Sequence, residues 1–303
     1  MLDPTQLRLL QVVARAGSYS AAARELGYTQ PAITYQMRAL ERSAGSTLAV
    51  RKGRTMQLTS AGQVLLQHAD RILATIRGAE SELAALAGVP TGTVRLAAFP
   101  SSCASLVPAA MVSMRRSHPG VEIELIQADL PQAHEYVLRG DVDLALAYHF
   151  EPGPDSPRPT DRDSLSRLPV SVDDVRLVLP VGHRAARKRV IGIEEVAEDT
   201  WIIASPNFHA MLNTAAAPFG FVPQVMRVAD DYVTMQSLVA HGLGIALVPN
   251  LALTAHRDNR IVPRTLRYWP QRNIEIELWP DMLRVDAVRV LVDHLKAAAA
   301  NPA

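Results

Sequence analysis

Residues 18–45, SYSAAARELGYTQPAITYQMRALERSAG, constrain the fold more tightly than any other stretch of the chain. Ser18 stands where it can cap a short helix whose apolar side carries Ala22, Ala23 and Leu26. Gly27 ends that helix, because helices commonly stop on a residue that tolerates φ > 0. Thr29 can cap a second helix, and Pro31 falls in its first turn, where a missing N–H costs nothing. Ile33, Met37 and Leu40 then recur at i, i+4 and i+7 as a buried stripe. The outer face carries Gln30, Thr34, Tyr35, Gln36 and Arg38. Two short helices around a tight turn read as a helix-turn-helix. Amide, hydroxyl and guanidinium groups on the second helix suit base edges and phosphates in a major groove. An ordinary helical hairpin with a solvated polar face fits the same spacing.

Charge distribution favours the first reading. The whole chain carries +1, but residues 1–60 hold eight Lys/Arg against three acids. A basic amino-terminal module on a slightly acidic body suits a protein that meets phosphate at one end. Asp3 and Pro4 start an earlier helix through about Ala16, with Leu7, Leu10 and Ala14 inward. After Gly45, Val50 and Met56–Leu58 flank the tip Arg51-Lys52-Gly53-Arg54, a β-hairpin wing whose three cations suit backbone or minor-groove contact. The plainer reading of that tip is a solvated turn.

A long helix follows. Ser60 with Gln63 has the spacing of a capping box. Leu65, Ala69, Ile72, Ile76, Ala79, Leu83 and Leu86 alternate at spacings of 4 and 3. Such a narrow stripe suits a two-helix coiled coil, and polar neighbours favour dimerisation over packing on the same chain. Gly88-Val89-Pro90-Thr91-Gly92 breaks the helix as a hinge. From Thr93 the period changes. Strands near 94–98, 121–126 and 142–148 alternate with helices near 105–117 and 131–139, as in a parallel βαβαβ sheet. Phe99-Pro100-Ser101-Ser102 reads as a loop. Residues 151–169, with Pro152, Pro154, Pro157, Pro159 and Pro169, read as irregular. A second α/β unit follows, and the strand at Ile274–Leu278 with the last helix can return to the first lobe. Two lobes joined by crossovers make a cleft that suits a small ligand.

With these segments in view, the chain resembles the LysR-type transcriptional regulators. AAARELGYTQPAITYQMRALE is similar to that family's signature, and RKGRTMQLTSAGQVLL to its wing and linker-helix start. SHPGVEIEL, RGDVDLAL and VAHGLGIALVP resemble recurring segments of its effector domain, in the right order. The likeness implies an α/β chain: an N-terminal winged helix-turn-helix and linker helix, then a two-lobed effector domain similar to periplasmic binding proteins. The expected divisions are 1–59 for the winged head, 60–87 for the linker helix, 88–92 for the hinge and 93–303 for the effector domain. Lobe 1 is expected over about 93–162 and 270–303, and lobe 2 over about 163–269. Thr29, Gln30, Pro31, Thr34 and Gln36 match the recognition-helix signature, and Arg51 the usual wing arginine. With Tyr35, Arg38, Lys52 and Arg54 they form the expected DNA-reading set. The resemblance places effector contacts at Ser101, Ser102, Asp129, Leu130, His149, Phe150, Ser205, Asn207 and His209. Hydroxyls beside helix N-termini favour an anionic metabolite; Asp129 counts against one, and simple N-caps would explain the serines as well.

The expected partners are double-stranded DNA, a small-molecule effector and further copies of the chain, as a dimer through the linker helix and commonly a tetramer. Cys103 is the single cysteine, so no disulfide forms within one chain. A redox-sensing regulator using Cys103 is the alternative, though no resolving partner accompanies it. An enzyme with an accessory DNA-binding head fits less well: there is no G-x-S-x-G elbow, and His183 and His209 lack metal-ligand spacing. No cofactor, metal or catalytic residue is expected. Without a signal peptide or an apolar run of about 20 residues, a cytoplasmic protein that does not enter the membrane is expected.

Overall fold

The computed structural model describes residues 2–53, 55–86, 92–150, 165–204, 206–228 and 231–300. The basic tip residue Arg54, residues 87–91 (the end of the expected linker helix and all of the expected hinge but Gly92) and Ser205 lie outside these, as do the side chains of Leu86 and Asn207. In the head, α1 (Pro4–Ala16), α2 (Tyr19–Leu26) and α3 (Gln30–Ala44) each stop on a left-handed glycine: Gly17, Gly27 and Gly45. Asp3, Ser18 and Thr29 cap their N-termini with side-chain oxygens. Leu7, Leu10, Val13, Ala22, Ile33, Met37 and Leu40 form the core between them. The antiparallel wing, β1 (Ala49–Lys52) and β2 (Thr55–Leu58), is tied to α3 by Glu41, whose carboxylate accepts from Leu48 N at 2.9 Å.

The linker helix α4 (Ser60–Leu86) is capped by Thr59 rather than Ser60: Thr59 Oγ1 accepts from Gly62 N at 3.1 Å. Its apolar seam is divided. Ala69 is fully buried, and it packs with Leu65, Leu66 and Leu73 on the head core of the same chain. Ala69 therefore cannot serve a partner helix. Ile72 and Leu83 are exposed, at 38% and 65%, Ala79 is exposed and Ile76 half-buried. Periodicity identifies an apolar stripe but not the surface that covers it.

The rest of the chain builds two α/β sheets. In the first lobe run β3 (Thr93–Ala98), α5 (Pro100–Ala104), α6 (Leu106–Ser117), β4 (Glu122–Gln127), α7 (Gln132–Arg139), β5 (Leu144–Phe150) and β6 (Ser166–Asp173). The segment around Ser101 is thus a short helix, not a loop. In the second run β7 (Val175–Pro180), β8 (Val190–Ile191), β9 (Thr200–Ile203), α8 (Pro206–Ala216), β10 (Gln224–Arg227), α9 (Tyr232–Ala240), β11 (Ile245–Pro249), α10 (Asn250–Ala255) and β12 (Ile261–Leu266). β13 (Arg272–Leu278) and α11 (Asp286–Ala300) return to the first lobe. The sheet orders are β4-β3-β5-β13-β6 and β10-β9-β11-β7-β12-β8. β3, β4 and β5 are parallel, as the alternation of strands and helices predicts, while β13 runs antiparallel to β5.

Residues 166–173 correct the expected division. They pair antiparallel with β13 in the first sheet, so the second lobe starts at Val175 and not near residue 163. Pro169 had argued for irregular structure, but β6 is an edge strand with a register shift opposite it, where a proline is tolerated. The winged head also touches the first lobe. Gln11 Nε2 donates to Asp70 Oδ1 at 2.7 Å and to the Arg139 carbonyl at 3.1 Å. Arg71 lies over the Trp279 ring at 5.9 Å.

Gly62 is where α4 meets the wing: a Cβ there would stand 2.0 Å from the Leu48 carbonyl oxygen. Gly62→Ala should therefore force backbone movement and cost about 1–3 kcal/mol of stability, read from the urea midpoint.

Candidate functional site

The DNA-reading candidates fall on the exposed side of α3. Its amphipathic spacing buries Ile33, Met37 and Leu40 and leaves Gln30, Pro31, Tyr35, Gln36 and Arg38 in solvent. Local hydrogen bonds orient several of them. Gln30 Oε1 accepts from Ser20 Oγ at 3.1 Å, and Gln36 Oε1 from Gln6 Nε2 at 3.3 Å. Thr34 is half-buried and donates to the Gln30 carbonyl, and Thr29 is spent on the cap. Tyr35 is 66% exposed. Tyr28, in the turn before α3, is also mostly exposed, a polar-tipped aromatic that helical spacing alone does not single out. On the wing, Arg51 and Lys52 are exposed; Arg51 Nε donates to the Gly53 carbonyl across the turn.

The effector candidates divide. Ser101 and Ser102 are fully buried in the first turn of α5, and both hydroxyls are engaged. Ser102 Oγ donates to the Phe99 carbonyl at 2.7 Å, and Ser101 Oγ accepts from Arg272 Nη2 at 2.9 Å. Neither presents its hydroxyl to a cleft ligand, so neither of these two serines supports an anion; Ser205 lies outside the described residues. Arg272 is the residue that sequence reasoning missed. It is 1% exposed, donates to Asp173 Oδ2 at 2.6 Å, and lies between Phe99 and Tyr148, 4.8 and 4.7 Å from their centroids. Asp173 also accepts from Leu251 N at 3.1 Å, at the start of α10. Burial pushes the Asp173 carboxyl up, and the Arg272 guanidinium draws it back.

Asp129 does reach the cleft. Its Oδ1 accepts from Leu130 N at 2.9 Å and its Oδ2 from the Tyr148 hydroxyl at 3.3 Å. Burial, then the Asp129 charge, push the Tyr148 phenol above its ordinary range. With Tyr148, Asp129 meets Ala204, Phe208, Tyr232 and Met235 of the second lobe around a cavity of about 10 Å³. That is room for about one water, so an effector must part the lobes. Leu130 is half-buried beside this cavity without lining it. His149 is a correction: alternation on β5 turns Tyr148 and Phe150 to one face and His149 to the other, where it faces Glu275 at 3.7 Å. Phe150 packs on both lobes' cores and meets Phe208 edge-to-face at 5.5 Å. His209 is half-buried and outside the cavity, while its neighbour Phe208 lines it.

Cys103 lacks the surroundings that favour a reactive thiolate. Its Sγ donates to the Ala98 carbonyl, and burial pushes the thiol up to about 11, so the nucleophilic thiolate is scarce near neutral pH.

Residues 4–63 match the family described as bacterial regulatory helix-turn-helix protein, lysR family, and residues 87–300 match the LysR substrate binding domain. The chain belongs to the LysR family. This LysR regulator is a DNA-binding transcriptional regulator with an effector-binding domain. It is 28% identical over 298 residues to the HTH-type transcriptional regulator CbbR of Rhodospirillum rubrum, covering 97% of this chain and 96% of that protein. It is 29% identical over 270 residues to MetR of Salmonella typhimurium, covering 88% and 81%. Its fold matches full-length OxyR C199D from Pseudomonas aeruginosa with a TM-score of 0.72 at 18% identity, covering 100% and 98% of the two chains. Full-length CbnR complexed with its target DNA matches at 0.58 and 21% identity, covering 98% and 100%. No described helix of the LysR regulator is long and apolar enough to cross a membrane.

Removing one partner of a buried ion pair leaves the other uncompensated, at a cost of about 3–5 kcal/mol. Arg272→Met should lower stability by that order in urea unfolding. Adding Asp173→Asn, which keeps an acceptor for Leu251 N, should recover most of it.

Proposed function

We propose that this LysR regulator reads operator DNA with α3 and the wing, and that a small molecule between the lobes alters that reading. Gln30, Tyr35, Gln36 and Arg38 meet base edges and phosphates in the major groove. Arg51, Lys52 and Arg54 of the wing hold the backbone, with Thr29, Pro31 and Thr34 shaping the start of the helix. Chains associate through the outer part of the linker seam, Ile72, Ile76, Ala79 and Leu83, and dimers pair into tetramers. The role is binding without catalysis, carried out in the cytoplasm where the DNA lies; the curated relatives being regulators supports this.

The observation that carries the coupling is the position of α7. At one end, Asp129 lines the cleft, and its carbonyl accepts from Ala133 N in the first turn of the helix. At the other end, the Arg139 carbonyl accepts from Gln11 of the head, and Asp141 stands 3.6 Å from Arg15. Between them, the Val137 carbonyl accepts from Trp279 Nε1 at 3.0 Å, and Trp279 lies under Arg71 of the linker helix. A ligand that parts the lobes at Asp129 therefore pulls on a helix whose far end grips the head. It shifts DNA binding to the extent that it favours one arrangement over the other.

Footprinting against DNA upstream of the chain's own and neighbouring genes tests the reading. It should show two protected half-sites on one face of the duplex. Gln30→Ala should lose about 1–3 kcal/mol of discrimination between operator and unrelated DNA; unchanged discrimination would displace α3 from the base-reading role. Trp279→Phe, remote from DNA, should change operator affinity about two- to tenfold, up to about 1.4 kcal/mol. Unaltered affinity would take α7 out of the route.

A further inference from the structure

Resting on the cleft reading above, we infer that the effector of this regulator is an organic ammonium ion carrying an apolar or aromatic body. The cavity brings three aromatic rings, Tyr148, Phe208 and Tyr232, around one carboxylate, Asp129. Asp129 is the single charged residue among the described residues that line it. The rings come from different elements: Tyr148 from β5 of the first lobe, Phe208 from α8 and Tyr232 from α9 of the second. A ligand that enters between the lobes therefore meets rings of both. Aromatic faces attract a cation through their negative quadrupole, most strongly when water is excluded. A carboxylate beside them supplies the counter-charge and accepts N–H hydrogen bonds.

The cation near the cleft does not reverse this polarity. Arg272 is neutralised by Asp173 at 2.6 Å and separated from the cavity by the Tyr148 ring, on which it stacks at 4.7 Å. Its remaining described hydrogen bond goes to Ser101. An anionic ligand at Asp129 would meet repulsion from that carboxylate, while the Arg272 guanidinium, paired through Nη2 and with its buried Nε left without a partner, stacks on the Tyr148 ring rather than lining the cavity. An ammonium ligand would gain a carboxylate and the rings of Tyr232 and Phe208, the latter already stacked on Trp269 at 6.3 Å. It would also leave Tyr148 able to donate to the second carboxylate oxygen, as it does at 3.3 Å.

The test uses the full chain with benzylammonium and phenethylammonium chlorides against sodium benzoate, at equal ionic strength and neutral pH. Melting temperature and operator footprint are the readouts. The ammonium probes should raise the melting temperature saturably and change the footprint, with no effect from benzoate. Asp129→Asn keeps the acceptor for Leu130 N and so should fold. It should weaken the ammonium response about tenfold, and Tyr232→Leu should weaken it severalfold. Stabilisation by benzoate alone, no response to either class, or an equal ammonium response in Asp129→Asn would each overturn the assignment. Ala204→Trp separates that failure from failure of the cleft reading. Filling the cavity should change operator affinity with no ligand added; an unchanged affinity would remove the cleft itself from control of DNA binding.

Discussion

The pairing of Arg272 with Asp173 is the contact on which the two-lobed arrangement depends. Asp173 ends β6 and Arg272 begins β13, so the pair joins the points where the chain leaves the first sheet and returns to it. Gln271 adds a hydrogen bond to Asp174 one residue further out. Two charges buried this deeply are tolerable only because each is also hydrogen-bonded: Arg272 to Ser101, Asp173 to Leu251 N. Those two further partners belong to α5 and α10, one in each half of the effector domain. The pair is therefore a pivot that the lobes share, and the aromatic contacts from Phe99 through Tyr148 and Phe150 to Phe208 extend outward from it.

The head and the sensor meet through polar groups rather than a deep apolar interface. Gln11, itself held by Asp70, hydrogen-bonds to the end of α7, Arg15 forms a partly exposed ion pair with Asp141 just beyond it, and Arg71 lies over the Trp279 ring. Contacts of that kind are individually weak in solvent. That suits a junction that has to change. A fully apolar seal would hold the head in a single arrangement, and a ligand's differential affinity would be spent opening it.

Local signals in the sequence carry the head. The caps Asp3, Ser18 and Thr29 and the stop glycines Gly17, Gly27 and Gly45 act within a few residues, and all of them stand where their chemistry predicts. Three kinds of feature were not legible. β6 contains Pro169, which reads as a break and is tolerated here on an edge strand beside a register shift. The covering of Ala69 is a tertiary fact that a heptad stripe does not encode. In the cleft, the motif likeness led to Asp129, which lines it, but also to Ser101 and His149, which do not; it missed Tyr148, Phe208 and Tyr232, which do, and Arg272 behind them. Tyr148 could have been found from β-strand alternation with Phe150, since both share a face that His149 does not. Arg272 could not, because its partner lies 99 positions away.

The strand order of the first lobe has a consequence for how the protein is made. β13 lies between β5 and β6, so neither of those strands has its full set of neighbours until residue 278 has been added. The head needs only the first 73 residues for its core, from Leu7 to Leu73. During synthesis, chains fold domain by domain from the amino terminus. A nascent or prematurely ended chain would then hold a finished DNA-reading head on an unfinished sensor. Such a product, cut between the linker helix and β13, would occupy DNA without answering to a ligand and so compete with the intact regulator.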